Sequence, residues 1–253
     1  MRFWQSFFRR NGPQHLAGLI QALGGVDIHS HLVPGVDDGA RDVDDSLSMI
    51  QAMVALGYRG AITTPHIHLE SYPANSAHSL QIPYGHLQQA LVAKEVSFTV
   101  KLAAEYFFDD QFQGLIQQNE LLTFGSRYVL FETSHQNRPL QLDQVIFDLQ
   151  NRRYKPVFAH PERYLYAWDN PRLLHVLRDK GVLLQVNLNS ILGVYNRKVQ
   201  QTARYLLEKG MVSFLGTDAH QIHHLNMARK TLELAELSEL VKRNRLLNET
   251  LLD

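Results

Sequence analysis

The chain has 253 residues, 45% of them hydrophobic and 20% charged, enough for a sizeable core and unlike a disordered chain. Lysine plus arginine equals aspartate plus glutamate at 25 each, so no net charge draws the protein toward nucleic acid or an acidic surface. There are no cysteines, which excludes disulfides, thiolate metal sites and any cysteine nucleophile.

At the N-terminus, Met1 to Asn11 combines Phe3, Trp4, Phe7 and Phe8 with Arg2, Arg9 and Arg10. It lacks the uninterrupted apolar core and cleavage site of a secretory signal, and no later stretch is long enough to span a bilayer. A cytoplasmic protein is expected, whose first residues make a peripheral membrane contact, dock a partner or pack as a terminal helix.

Short β-rich runs then alternate with helical patterns, the signature of a parallel sheet with crossover helices. In chain order the pattern predicts a strand over Gly25–His29, a helix over Asp44–Leu56, a strand over Gly60–Thr64 and a helix over Ile82–Lys94. A strand over Ser97–Ala104, a helix over Asp109–Gln118, a strand over Tyr128–Phe131 and a helix over Gln141–Asn151 follow. The last repeats are strand Pro156–Ala159, helix Pro171–Lys180, strand Val182–Leu188, helix Arg197–Lys209 and strand Val212–Gly216. Gly57, Gly181 and Gly210 each follow a helical run, where a left-handed residue closes a helix. Seven strands predict one barrel-like α/β domain over 1–253, with 1–24 as an N-terminal extension and closing helices over 226–253. An open doubly wound sheet is the alternative, but it binds at one switch point, whereas a barrel gathers residues from all its strand ends.

Those strand ends carry the chemistry. The first ends in Asp27-Ile28-His29-Ser30-His31, the second in Thr64-Pro65-His66, the third in Ala104-Glu105 and the fourth in Phe131-Glu132. The fifth ends in Ala159-His160-Pro161-Glu162-Arg163 and the seventh in Gly216-Thr217-Asp218-Ala219-His220; only the sixth, at Asn187 and Asn189, lacks an ionisable group. Imidazole and carboxylate suit zinc, manganese and iron, and residues i and i+2 of a strand share a face, as His29/His31 and Asp218/His220 do. Glu105 and Glu132 emerge from apolar runs, where a carboxylate without a partner is costly. Asp38, in the glycine-bracketed loop Gly35–Gly39, can fold back over the rim. A single H-x-H pair is weak evidence, since strand-end histidines are often structural; six strand ends converging on one rim make a multinuclear metal site the better reading. His15, His68, His78, His86, His135, His175, His223 and His224 read as surface, capping or supporting residues. Asp42-Val43-Asp44-Asp45-Ser46 has the D-x-D-x-S shape of a phosphoaspartate nucleophile, but it starts a helix, so capping explains it better. No P-loop or G-x-G-x-x-G is present.

Val26-Asp27-Ile28-His29-Ser30-His31 followed by Pro34-Gly35-Val36-Asp37-Asp38-Gly39 resembles the opening of polymerase-and-histidinol-phosphatase (PHP) domain proteins. More narrowly, with Thr63–His66, Ala104–Tyr106, Ala159–Tyr164 and Gly216–His220, the chain resembles the bacterial manganese-dependent tyrosine-protein phosphatases of capsule and exopolysaccharide operons. The resemblance implies a distorted seven-stranded, TIM-like barrel of PHP type and a site of three Mn²⁺ ions, with iron or zinc as alternatives. By position its metal ligands would be His29, His31, Asp38, His66, Glu105, Glu132, His160, Asp218 and His220, with Glu105 bridging two ions. Arg163 matches the arginine that holds phosphate, and with Glu105 and His160 makes up the expected catalytic set. The family's second arginine, shortly after the final D-x-H, has no counterpart in Gln221-Ile222-His223-His224; the next is Arg229, and His223 or His224 is the candidate replacement. The implied reaction is in-line attack of metal-activated water on the phosphotyrosine of a protein such as a tyrosine autokinase. Tyr106, Tyr164 and Tyr166 are candidates to flank the substrate ring, core packing being the other reading. The competing functions are a histidinol-phosphate-like small-molecule phosphatase, a related amidohydrolase (disfavoured because no strand end offers a lysine) and a catalytically silent metal-binding protein.

Overall fold

The computed structural model describes residues 18–251 except Ala22 and Asp169; the aromatic-basic stretch Met1–Asn11 lies outside the described residues. The first predicted strand condenses to β1 (Val26–Asp27). The second becomes β2 (Gly60–Thr63), followed beyond its predicted end by a short β3 (His66–Ile67); the third becomes β4 (Thr99–Leu102), followed likewise by β5 (Glu105–Phe107). The remaining four are β6 (Tyr128–Glu132), β7 (Lys155–Phe158), β8 (Leu183–Asn187) and β9 (Phe214–Gly216). All pair in parallel, as β1-β2-β4 in one sheet and β3-β5-β6-β7-β8-β9 in the other.

Among the described residues there are nine strands in two sheets, two more than the seven expected, because β3 and β5 follow β2 and β4 after short breaks. Pro65, which has no N–H to give a ladder, sits at the first break, and Ala103-Ala104 at the second. Hydrogen bonds still cross the gap: the Ala103 N–H donates to the Thr63 carbonyl at 2.9 Å and the Glu105 N–H to that of Pro65 at 3.1 Å. Beyond β1 and β9, Ser30 and Ala219 form a parallel bridge, and the Asp218 N–H donates to the His29 carbonyl at 2.7 Å. The parallel strands thus curl until the first meets the last.

The helices between them are α1 (Val43–Leu56), α2 (Gln81–Ala93), α3 (Asp110–Gln118), α4 (Leu142–Asn151), α5 (Leu165–Trp168), α6 (Pro171–Asp179), α7 (Leu188–Leu192) and α8 (Arg197–Glu208). α9 (Ile222–Leu232) and α10 (Leu237–Lys242) close the described chain, so the final helical region starts four residues before the expected 226. Asp42 caps α1 by accepting the Asp45 N–H at 2.8 Å, and Asp44 and Asp45 lie in the first turn, which accounts for the D-x-D-x-S stretch. Gly57 ends α1 at φ 100°, a left-handed value that any side chain would resist.

Every residue of β2 and four of the five in β8 are buried, as befits parallel strands covered on both faces. One apolar cluster packs helices against strands and takes in Leu19, Ile20 and Leu23, so the described part of the expected 1–24 extension belongs to the core. A smaller cluster draws Val26, Ile62, Leu130, Val157 and Phe214 from five strands. Each such buried side chain contributes about 1.5–3 kcal/mol, and together they form the floor beneath the strand ends.

Candidate metal centre

One rim of the sheet, with the loop that carries Asp38, brings the nine expected donors together. His29 and His31 follow β1, His66 and Glu105 open β3 and β5, Glu132 ends β6, His160 follows β7, and Asp218 and His220 follow β9. Glu105 lies at the middle: one oxygen is 3.1 Å from His29 Nε2, 3.3 Å from His66 Nδ1 and 3.6 Å from His31 Nε2, and the other is 2.9 Å from His160 Nε2. Asp218 lies 3.5 Å from His29 and 3.6 Å from His31, while Asp38 closes the outer side at 3.5 Å from His66 and 3.4 Å from His220. Glu132 approaches His66 at 3.4 Å. The donors fall into overlapping groups: His31 with Asp38, His66 and His220; His29 with Glu105 and His160; His29 with His31 and Asp218; and His66 with Glu105 and Glu132.

The electrostatics demand positive charge here. Burial alone would push the His29 and His66 pKa values down, yet the neighbouring carboxylates outweigh it and hold both at about 10. Burial would likewise raise Glu105 and Asp218, but the facing histidines, chiefly His29, hold both well below the usual carboxylate range. His31 supplies the sharper test of fit. Asp37 lies 2.8 Å from its Nδ1 and, as an acceptor, fixes the proton there. The buried Nε2 then has no hydrogen-bond partner and faces Glu105 and Asp218 oxygens at 3.6 Å. A lone pair opposed to two carboxylates is unfavourable, and a cation between them, either a proton or a metal ion, relieves it. Gln185 orients His29 in the same way, its Oε1 3.0 Å from Nδ1. A donor set of nitrogen and oxygen alone fits zinc, manganese or iron. His160 and Asp218 hold their donors in left-handed backbone, at φ 32° and 50°, a strain non-glycine residues adopt mainly where surrounding structure enforces it.

Arg163 closes the 3₁₀ turn Pro161–Arg163 that follows His160. Its Nη1 donates to Asp218 at 3.0 Å, its guanidinium lies 4.9 Å from the Tyr195 ring centroid, and the Asp218 charge raises its pKa despite burial. With Glu105, His160 and His220 it lines a cavity of about 430 Å³.

The structure adds residues that sequence patterns did not reveal. His135, expected at the surface or in support, joins Glu132 and His160 as a further donor group; its place three residues after Glu132 was the available signal. Asp37 and Gln185 hold the first two histidines. Tyr195 lines the cavity, whereas Tyr106 and Tyr164 are fully buried core residues and Tyr166 stacks on Tyr164 at 5.3 Å. Of the histidines after the last strand, His224 lines this cavity and His223 a neighbouring groove, while Arg229 pairs with Glu233 along α9. His68 stacks on Phe107 at 3.9 Å, outside the donor groups.

Fold and donors together define a metal-dependent hydrolase built on a curled parallel α/β sheet. Residues 25–244 match the family described as capsular polysaccharide synthesis, CpsB/CapC, and the chain belongs to that family. The tyrosine-protein phosphatase YwqE of Bacillus subtilis is 31% identical over 202 residues, 79% of each chain. The tyrosine-protein phosphatase CpsB of Streptococcus pneumoniae is 27% identical over 205 residues, 78% of this chain and 83% of its own. A crystal structure from the work on those two proteins, described as unique metal-dependent tyrosine phosphatases, superposes with a TM-score of 0.76 at 30% identity, covering 86% of this chain and 90% of that one.

Proposed function

We propose that this chain is a metal-dependent phosphatase that removes phosphate from tyrosine on protein, with its ions held by the nine donors His29, His31, Asp38, His66, Glu105, Glu132, His160, Asp218 and His220. The observation that carries the reading is Arg163, a guanidinium lining the same cavity as the donors and anchored to one of them. A donor cluster alone would suit many hydrolases; a fixed cation with a planar fork beside it suits phosphate. With β2 and β3 counted together, and β4 with β5, the nine strands are read as the seven positions of a distorted PHP-type barrel.

Bound divalent cations would lower the pKa of water and offset phosphoryl charge. Manganese is the inferred ion, three per chain, with iron or zinc as alternatives. Glu105, central among four histidines, would be the donor shared between ions, and His160, which faces its second oxygen, would be a donor beside it. Arg163 would bind the non-bridging phosphate oxygens and stabilise them as charge redistributes in line. A tyrosine leaving group, with a pKa of about 10, needs less proton assistance than an alkoxide. Tyr195 is placed to flank its ring.

The relatives' names support tyrosine on protein as the substrate, and the family description supports a place in capsular polysaccharide synthesis. The partner inferred is the phosphorylated tail of a tyrosine autokinase on the cytoplasmic side of the membrane. Turnover of a phosphotyrosine peptide, a phosphoserine peptide and histidinol phosphate at equal concentration with added manganese tests the proposal. Preference for the phosphotyrosine peptide is expected; preference for histidinol phosphate would overturn the substrate.

A further inference from the structure

The zero net charge of the chain conceals a separation between the two ends of the sheet. Seven segments lie at the N-terminal ends of the strands: 57–59, 94–98, 119–127, 152–155, 180–182 and 209–213, which lead into strands, and 243–249, which returns to this pole. They hold ten Lys and Arg and three Glu. The segments at the opposite, donor-bearing rim are 28–42, 64–80, 103–109, 132–141, 159–168, 187–196 and 217–221; they hold nine Asp and Glu and three Arg. The return of 243–249 is fixed by the Leu247 N–H on the Ser213 carbonyl at 2.9 Å and by Asn248 on the Val26 and Leu215 carbonyls at 3.3 and 2.8 Å.

Several cations of this pole are held by neutral partners and not by carboxylates. Arg127 donates to the carbonyls of Arg152 and Arg153 at 3.3 Å, Lys155 reaches the Ser126 hydroxyl at 3.2 Å, and Arg59 donates to the Gly24 carbonyl at 2.8 Å. Among the described residues none of Arg59, Arg127, Arg153 and Lys155 has a carboxylate within ion-pair distance, and all four are exposed.

The first described residues also run to this pole, since Arg59 holds Gly24 there. The segment that precedes them, residues 1–17, has Arg2, Arg9 and Arg10 and no Asp or Glu. It also has Phe3, Trp4, Phe7 and Phe8 interspersed with those arginines. Cations alone would suit any polyanion. Aromatic residues beside arginines, with no acidic residue among them, add an apolar requirement that the boundary between lipid headgroups and acyl chains meets.

We propose that this pole, with the aromatic-arginine segment that leads into it, binds the surface of an anionic phospholipid bilayer and turns the donor-bearing rim away from it. The inference does not depend on the phosphatase reading. Each basic residue near such a surface strengthens partitioning by about fivefold. The attachment is peripheral, consistent with the lack, among the described residues, of any helix long and apolar enough to cross a membrane.

Flotation of the full chain with phosphatidylcholine vesicles, and with vesicles of roughly one third phosphatidylglycerol, tests this. Binding to the anionic vesicles alone is expected, weakened by salt. R153E/K155E/R245E, three exposed positions at the pole, and F3S/W4S/F7S/F8S, in the segment, should each reduce that binding by more than about tenfold. An unchanged melting temperature shows that the pole variant is folded. Absence of binding by the unaltered chain, or undiminished binding by either folded variant, would overturn the proposal, and neither result bears on phosphate turnover.

Discussion

Replacing Gln185 with leucine isolates the role of the neutral side chain beneath the metal centre. Gln185 is fully buried; its Oε1 faces His29 Nδ1 at 3.0 Å and accepts the His160 N–H at 3.2 Å, while its Nε2 donates to Asn187 at 2.8 Å. Leucine fills the volume but accepts nothing, leaving the His29 Nδ1–H and the His160 N–H buried without partners, at about 1–3 kcal/mol each. The same change frees the His29 tautomer that presents Nε2 to Glu105, and loss of such a supporting bond weakens metal binding about 10–100-fold. Titration against a competing chelator measures the affinity, and turnover of an aryl phosphate at limiting and saturating manganese measures the consequence. Because Gln185 acts through His29, saturating metal should restore much of the rate in Q185L. Unchanged metal affinity, or a rate that excess metal leaves low, would refute the tautomer argument.

R163A should retain its metal yet lose about 10²–10³-fold in kcat/KM, with R163K rescuing only in part because it keeps charge and loses the fork; full activity in R163A would remove its assigned role. At Gly39, an added Cβ would lie 2.4 Å from the His31 Cβ and carbonyl oxygen, so G39A must displace the loop that carries Asp37 and Asp38. A loss of about 1–3 kcal/mol in stability and weaker metal binding are expected, read by thermal melting and metal content; neutrality in both would contradict the packing. In the metal-free chain His29 and His66 titrate near 10, so manganese binding at pH 7 should release about two protons. Calorimetry in buffers of different ionisation enthalpy reads that number, and heats independent of buffer would rule it out. Because both folded values are raised, the stability these two histidines contribute to the metal-free chain is complete below about pH 6.5 and lost as pH rises through about 10. Melting temperature should therefore fall over that interval more in the chelated protein than in the loaded one.

The donor cluster was legible because six strand ends each carry imidazole or carboxylate, two of them as the i, i+2 pairs His29/His31 and Asp218/His220, and an unpartnered charge there is costly. The residues that orient them were not. Gln185 is a neutral amide inside a strand, 156 positions from the histidine it holds, and nothing in local sequence links the two. Tyr195 reaches the cavity only because α7 turns the chain back after β8. That helix has only five residues and its polar Asn189 and Ser190 are buried with Leu188 and Ile191, so Leu188–Leu192 is too short to show a helical period. The resumption of strand after the breaks at Pro65 and at Ala103-Ala104 escaped for a related reason. Each is flanked by residues that favour strand on both sides, and the sheet's pairing, not local propensity, decides where a strand resumes.

The most direct test of the central claim is to strip the protein with chelator, restore manganese stepwise, and follow bound metal and phosphotyrosine-peptide turnover on the same samples. Activity should be absent without metal and rise only as ions fill the donors, to about three per chain or two with a weakly held third, and E105A should neither bind the full complement nor turn over. Full turnover by the stripped protein, or turnover in E105A equal to that of the unaltered chain, would contradict it.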